Sequence, residues 1–396
     1  MRILTLNAGS SSIKFALYQA DAAQLSVRLH GEIERIGDAP QLQVRDAEDA
    51  LVHEQRWTAA DLPDAAAAER GLDQWLRAHL GGLPDAIGHR VVHGGMQYAT
   101  PVRVDAAVLA DLQQFEPLAP LHQPYNLAPI RAWLARAPQI PQVACFDTAF
   151  HRGHDEIVDL YALPRELIAA GVRRYGFHGL SYEYIAAQLR MLDPQLASGR
   201  VVLAHLGNGA SLCALQAGRS VDSSMGFSAL EGLVMGTRPG SVDPGVLLYL
   251  MQERGMDAAA IEHLLYHDCG LKGLSDESGD VRTLLASSRP QARQALEVFA
   301  HRIAQQTAAM AASMGGIDAM VFTAGIGEHA AAVRAQVVER LRLFDAKLDA
   351  PANAAGAGAR RIHAPDSRIA LWVIPTDEER MIAMHTQALL GDAKAT

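Results

Sequence analysis

The sequence has little cysteine: Cys145, Cys213 and Cys269 are the only three in 396 residues. They are too few and too scattered for a disulfide framework and show no metal-ligand spacing, which predicts buried, reduced thiols in a cytoplasmic protein. No apolar run approaches the roughly 18 residues of a membrane span. The opening residues do not read as a signal peptide, because Asn7, three serines and Lys14 interrupt the apolar stretch. Positive charge is also in short supply. The formal net charge is −9 and no cluster of Lys and Arg stands out, so neither nucleic acid nor membrane is an expected partner. A Walker A sequence, a dinucleotide-binding glycine fingerprint and a Gly-x-Ser-x-Gly nucleophile elbow are all missing. What is present is ordinary globular composition, 49% hydrophobic and 20% charged, with a length that suits two or three domains.

"LTLNAGSSSIKFAL" (Leu4–Leu17) holds the first positive signal. Apolar residues run to Asn7, small and hydroxyl side chains follow, and Ile13, Phe15 and Leu17 then alternate with polar or small ones. That pattern predicts a strand, a tight turn and a second strand. Strands are further expected over 24–33, 86–92 and 142–146, and helices over 64–80, 105–115 and 125–135. "VVLAHLGNGASLCALQAGRSVDSS" (Val201–Ser224) repeats the opening hairpin about 200 residues later, again with Gly, Asn and Ser in the turn. Helices over 246–253 and 291–314, a strand over 319–323, a helix over 330–342 and a strand over 369–374 follow it. Two copies of one pattern predict two like-folded domains facing each other across a cleft, with mixed sheets and helices on their faces. "RDAEDA" (Arg45–Ala50) and "DAPANAAGAGAR" (Asp349–Arg360) read as surface loops.

Glycine-rich turns leave backbone N–H groups pointing outward and let an anion come close. "FTAGIGEH" (Phe322–His329) is a third such place, where glycine amides would open a helix. Charged residues gather near these turns. Arg90 ends an apolar strand in "GHRVVHGG", Asp147 follows another in "CFDTAFH", and His178 sits at a helix start in "YGFHGLSYEY". Arg238 lies in the Gly/Pro-rich "EGLVMGTRPGSVDPG", and Asp377, Glu378 and Glu379 open a helix in "IPTDEERMIA". Taken singly, Arg90 could be a surface ion pair, His178 a capping histidine and Asp147 an Asx turn. Their placement at strand ends, where open α/β sheets bind ligands, makes them a set suited to Mg²⁺-assisted phosphoryl transfer.

With those motifs in order from end to end, the chain resembles the acetate, propionate and butyrate kinases, within the sugar kinase, chaperone and actin superfamily. The resemblance implies two duplicated β-β-β-α-β-α-β-α domains of ribonuclease H-like, actin-type ATPase fold. Residues 1–150, joined by the C-terminal helix 378–396, would form one domain and 151–377 the other, with the active site in the interdomain cleft of a homodimer. It implies acetate and ATP as substrates, acetyl phosphate and ADP as products, and Mg²⁺, or Mn²⁺ in its place, as cofactor. Carried over by position, Asn7 and Glu378 would hold the metal. Lys14, Ser10 and Ser12 would face the nucleotide phosphates. Arg90 would bind the substrate carboxylate, with Val92, Leu121 and Phe177 around the methyl end. Asp147, His178 and Arg238 would be catalytic. ATP would rest on His205, Leu206, Gly207, Asn208 and Gly209, on Asp280, Val281 and Arg282, and on Gly325, Ile326, Gly327, Glu328 and His329.

The sequence departs from the family pattern at His329, usually Asn, at Leu180 and Tyr182, where Thr and His are frequent, and at Ala229, where many members have Pro beside the acyl pocket. The smaller Ala229 leads to the expectation that propionate is used unusually well while acetate remains a good substrate. Competing readings are a propionate or short-chain acyl kinase, an actin-like or chaperone-like nucleotide sensor, and a serine hydrolase built from Ser10, His178 and Asp147.

Overall fold

The computed structural model describes residues 1–9, 11–21, 24–79 and 82–392, so Ser10 lies outside the described residues. The chain divides into two units, Met1–Ala149 with Asp377–Thr396, and Phe150–Thr376.

In the first unit β1 (Arg2–Ala8), β2 (Ile13–Ala20), β3 (Leu25–Glu34), β4 (Gln41–Asp46) and β5 (Leu51–Arg56) form an antiparallel meander. On its other side β1 pairs in parallel with β6 (Ala86–Val91), and β6 with β8 (Gln142–Phe146), while β7 (Val102–Arg103) closes that edge antiparallel. The sheet order is β5-β4-β3-β2-β1-β6-β8-β7. β1 is buried on both faces from Ile3 to Leu6, which explains why Ile3, Leu4 and Leu6 do not alternate with polar residues except at the buried Thr5. Trp75 and Trp133, from the helices Ala65–His79 and Gln123–Arg136, pack with Leu4, Leu6, Phe15 and Ile87 in one core. The helix Glu378–Asp392 packs against β1, β6 and β8. Gly88 permits that approach, because a Cβ there would lie 2.6 Å from Cγ2 of Ile382.

The second unit repeats the scheme. β9 (Arg200–Leu206), β10 (Ala210–Gln216) and β11 (Arg219–Ser223) are antiparallel, β9 pairs in parallel with β12 (Ala319–Thr323), and β12 with β14 (Ala370–Val373). The edge strand β13 (Arg360–Arg361) gives the order β11-β10-β9-β12-β14-β13. β9 thus occupies the place of β1, and β12 that of β6. This is the duplicated α/β architecture expected, with β4 and β5 as additions to the first copy. Neither was anticipated. β5 is exposed along nearly its whole length and carries no alternation, and β4 alternates only through Leu42 and Val44. "RDAEDA" is the turn joining these two strands with the end of β4. "DAPANAAGAGAR" is not a plain loop, since it holds a short helix, Ala350–Ala354, capped by Asp349.

Candidate functional site

In the first unit the β1–β2 register sets Asn7 opposite Lys14, and the Gly9 N–H donates to the Ser12 carbonyl at 2.8 Å to close the turn. Arg90 stands one residue before the end of β6 and Asp147 one residue past β8, so two parallel strands deliver them to one edge. Their contact is a fork: Arg90 Nη2 donates to Asp147 Oδ2 at 2.6 Å, and Nε reaches Oδ1 at 3.1 Å. Nη1 donates to Asn7 Oδ1 at 3.1 Å, and Glu378 Oε2 lies 3.8 Å from Nε. Asn7 Nδ2 donates to Glu379 Oε1 at 3.4 Å. Asp147 is 1% exposed, so its charge depends on this partner.

The electrostatics follow from crowding. Burial pushes the Glu378 carboxyl up to about 7; Arg90 and Lys14 pull it down, and Asp147 and Glu379 push it further up. Desolvation works against the Arg90 guanidinium, but Asp147 and Glu378 hold it above its ordinary value. The Lys14 ammonium is likewise raised, with desolvation outweighed by Glu32, Glu379 and Glu378. The Ser12 hydroxyl hydrogen-bonds Glu32, the cross-strand partner of Lys14. Val92 is buried and its N–H donates to Asn126 Oδ1 at 2.9 Å, while Asn126 Nδ2 donates to the Ala8 carbonyl at 2.6 Å. Asn126 therefore ties the end of β1 to the segment after Arg90, a part nothing in the sequence flagged. Leu121 is half-buried in the turn before the helix Gln123–Arg136.

The second unit assembles another set. His178 has a left-handed backbone (φ 58°) and caps the helix Gly179–Leu192. Its Nδ1 lies 2.8 Å from Ser211 Oγ, which also bonds the Tyr182 hydroxyl. The His178 ring stacks on that of His205 with centroids 4.1 Å apart, and His205 Nδ1 lies 2.8 Å from Ser181 Oγ. Arg238 Nη1 donates to the Ala229 carbonyl at 2.7 Å. Arg238 and His178 both bear on the β9–β10 turn: a Cβ on Gly209 would lie 2.7 Å from Arg238 Nη2 and 3.3 Å from His178 Nε2. Only glycine leaves that space open.

The remaining predicted positions are placed as follows. Gly207, Asn208 and Gly209 form the turn, closed by the Gly207 N–H on the Gly209 carbonyl at 3.0 Å. Leu206 and Val281 are core side chains, which leaves only their backbones for a ligand. Asp280 caps the helix Val281–Ala286 and binds Arg282 Nη2 at 2.6 Å, with the Arg282 side chain 91% exposed. Gly325, Ile326, Gly327, Glu328 and His329 are the helix Ala324–His329 itself, directly after β12. Glu328 Oε1 accepts the Thr376 N–H at 3.1 Å, and the His329 side chain is 74% exposed. Phe177 is buried.

Comparison with known proteins adds the decisive observation. The family model described as the acetokinase family matches residues 2–384. The chain belongs to the acetokinase family. It is 50% identical over 395 residues to an acetate kinase of Nitrobacter hamburgensis, covering 100% of this chain and 97% of that one. Among solved structures it resembles an acetate kinase of Porphyromonas gingivalis (TM-score 0.85, 36% identity, 98% and 99% of the two chains). It equally resembles a propionate kinase of Francisella tularensis (TM-score 0.88, 35% identity, 98% and 99%). The duplicated mixed-sheet fold is thus that of acetokinase structures. Ser211, Tyr182, Asn126, Glu379 and the Ala229 carbonyl are the contacts sequence reasoning did not assign. Ser211, Tyr182 and Glu379 lie inside quoted motifs, so their places could have been found; Asn126 and the Ala229 carbonyl act from other segments.

Proposed function

We propose that this acetokinase transfers the γ-phosphoryl group of ATP to acetate, giving acetyl phosphate and ADP, reversibly and by direct in-line displacement. The observation that carries the reading is the state of Arg90. Of its five N–H groups, Nε–H and one on Nη2 go to Asp147, and one on Nη1 goes to Asn7. One N–H remains on each Nη, which is the fork that a planar carboxylate accepts bidentately. Hydrolysis of ATP alone needs no such fork, which favours an acyl kinase over a nucleotide sensor.

The substrate carboxylate is already ionised at neutral pH, as a carboxyl with a pKa near that of Glu, about 4.3, must be. No general base is required. One acetate oxygen attacks the γ-phosphorus, the new O–P bond forms, and the bond to the bridging oxygen of ADP breaks. The obstacle is charge. Arg90 holds the acetate, Asp147 holds Arg90, and His178 Nε2 and Arg238 Nη2 meet the charge on the transferring group. Lys14 and Ser12 face the phosphates, and the nucleotide rests on the backbone of the segments 205–209, 280–282 and 325–329.

Asn7 Oδ1 and Glu378 are hard oxygen donors that suit Mg²⁺, and a carboxyl crowded up to about 7 is one that a divalent cation relieves. Among the described residues no group of three or more His, Cys, Asp or Glu is arranged to hold a metal. Asn7 and Glu378 would hold the cation, and it would supply neutralisation of the phosphate charge. A cytoplasmic homodimer is part of the same reading. No helix among the described residues is long and apolar enough to cross a membrane.

The test is ATP, acetate and Mg²⁺ with hydroxylamine as trap. Acetohydroxamate should form in step with ADP; ADP without hydroxamate would favour the sensor.

A further inference from the structure

Behind His178 lies a buried polar chain that the reaction as described does not use. Asp159 Oδ1 lies 2.9 Å from His154 Nδ1, and His154 Nε2 lies 2.7 Å from Ser220 Oγ. Ser220 Oγ lies 2.8 Å from His151 Nδ1, and His151 Nε2 lies 2.9 Å from the carbonyl oxygen of Phe177. His151 is 1% exposed and Ser220 4%. Arg173 Nη2 binds the second oxygen of Asp159 at 2.5 Å. The chain ends on the peptide carbonyl immediately before His178, whose left-handed φ of 58° is a costly conformation for a residue with a Cβ.

Counting donors assigns the ring protons of both histidines; Ser220 Oγ also lies 3.2 Å from Cys213 Sγ, which is left as the donor once the hydroxyl proton goes to His151. A carbonyl only accepts, so His151 Nε2 carries a hydrogen. Burial drives the His151 imidazolium out, lowering its pKa to about 3, with His154 adding repulsion. A neutral ring protonated on Nε2 has a lone pair on Nδ1, which must accept the one hydroxyl proton of Ser220. Ser220 then has nothing left to donate, so His154 Nε2 donates to it. The Asp159 carboxylate accepts from His154 Nδ1. His154 therefore carries both ring protons, and Asp159, itself paired with Arg173, balances the charge. Two histidines with ring centroids 5.5 Å apart thus hold different charge states, one neutral and one cationic.

We propose that His151 is a positioning residue for phosphoryl transfer: the chain Asp159–His154–Ser220 locks it as an Nε2–H donor to the Phe177 carbonyl, which seats His178 in its left-handed conformation. A second contact fits this role. The His151 ring lies close against Gly176, where a Cβ would come 2.6 Å from its Cδ2. Two successive residues before His178, Gly176 and Phe177, are thus in contact with one imidazole. The inference rests on His178 acting on the transferring group, the role proposed above.

The experiment has two arms. In ¹⁵N-histidine-labelled protein near pH 7.5, with resonances assigned through His151→Gln and His154→Gln samples, His151 should show a pyridine-type Nδ1 and a protonated Nε2. His154 should show two protonated nitrogens. A His151 ring protonated on Nδ1, or a neutral His154, overturns the proposal. In the second arm, His151→Leu should lower kcat at least tenfold with KM for ATP and for acetate within threefold. His151→Gln, which keeps an N–H at the same reach, should recover most of that loss. A folded His151→Leu enzyme with parental kcat, or a Gln variant no better than Leu, also overturns it. The labelling arm needs no turnover, so a protein inactive toward acetate would sink the functional reading while leaving the proton assignment to stand or fall alone.

Discussion

Replacing Arg90 with Ala should separate acetate binding from nucleotide binding more sharply than any other single change. The guanidinium makes two bonds to Asp147 and one to Asn7. Removing it does two things. An acetate carboxylate loses a charge-assisted contact worth about 2–3 kcal/mol, which is about 30- to 150-fold in KM. Asp147, 1% exposed, is left as an unpaired buried carboxylate beside Glu378, which costs about 3–5 kcal/mol of stability. Steady-state hydroxamate kinetics with acetate varied at saturating ATP, then the reverse, give the two KM values, and urea unfolding gives the stability. The acetate KM should rise by the stated factor while the ATP KM stays within about threefold. Arg90→Lys should keep the charge but not the fork and fall between the two. An acetate KM within twofold of the parent would refute the assignment of Arg90 to the substrate, whatever happened to stability.

Arg238→Ala should lower kcat by about 10³-fold or more while leaving the ATP KM nearly unchanged, since the group acts on charge that develops in transit; equal losses in both would make it a ground-state phosphate clamp. The fully buried His89 should give the protein an acid-side slope. Burial lowers its pKa to about 4 against a bond to Gln142, so it is neutral when folded and protonated when unfolded between pH 6.5 and 4. Its contribution is complete above pH 6.5 and is lost on acidification at roughly 1.4 kcal/mol per pH unit, so the unfolding free energy of His89→Gln should fall less steeply with acid across that window. Ala229→Pro keeps the carbonyl that Arg238 uses but fills space beside it, so kcat/KM should drop for propionate more than for acetate. A seated methylene gains about 0.8 kcal/mol, about fourfold, and an unchanged ratio of the two kcat/KM values would show that Ala229 does not wall the acyl pocket.

The parts of this molecule that the sequence made legible share one property: they are written locally. Turn glycines, apolar strands and the polar residues at strand ends and helix starts can be recognised in a single pass, as with the positions of Asn7, Arg90, Asp147 and His178. The second hairpin was visible because a duplicated domain repeats its own pattern. What escaped was written between distant segments. Nothing near Ala229 says that its carbonyl holds Arg238, and nothing near His151 says that its ring supports the peptide before His178. β5 escaped for a different reason: an exposed edge strand buries no face, so selection leaves no alternation to read. Leu206, quoted within a nucleotide-facing motif, turned out to point its side chain into the core, because β9 is covered on both sides and only its turn is open.

The central claim is that the γ-phosphoryl group of ATP ends on a carboxylate oxygen. Acetate labelled with ¹⁸O in both oxygens, mixed with ATP and Mg²⁺ and followed by ³¹P NMR, tests it at the bond that forms. The account predicts an acyl phosphate whose phosphorus carries one ¹⁸O in the bridge to carbon, appearing as fast as ADP. Unlabelled inorganic phosphate accumulating with ADP, and no acyl phosphate signal, would contradict it.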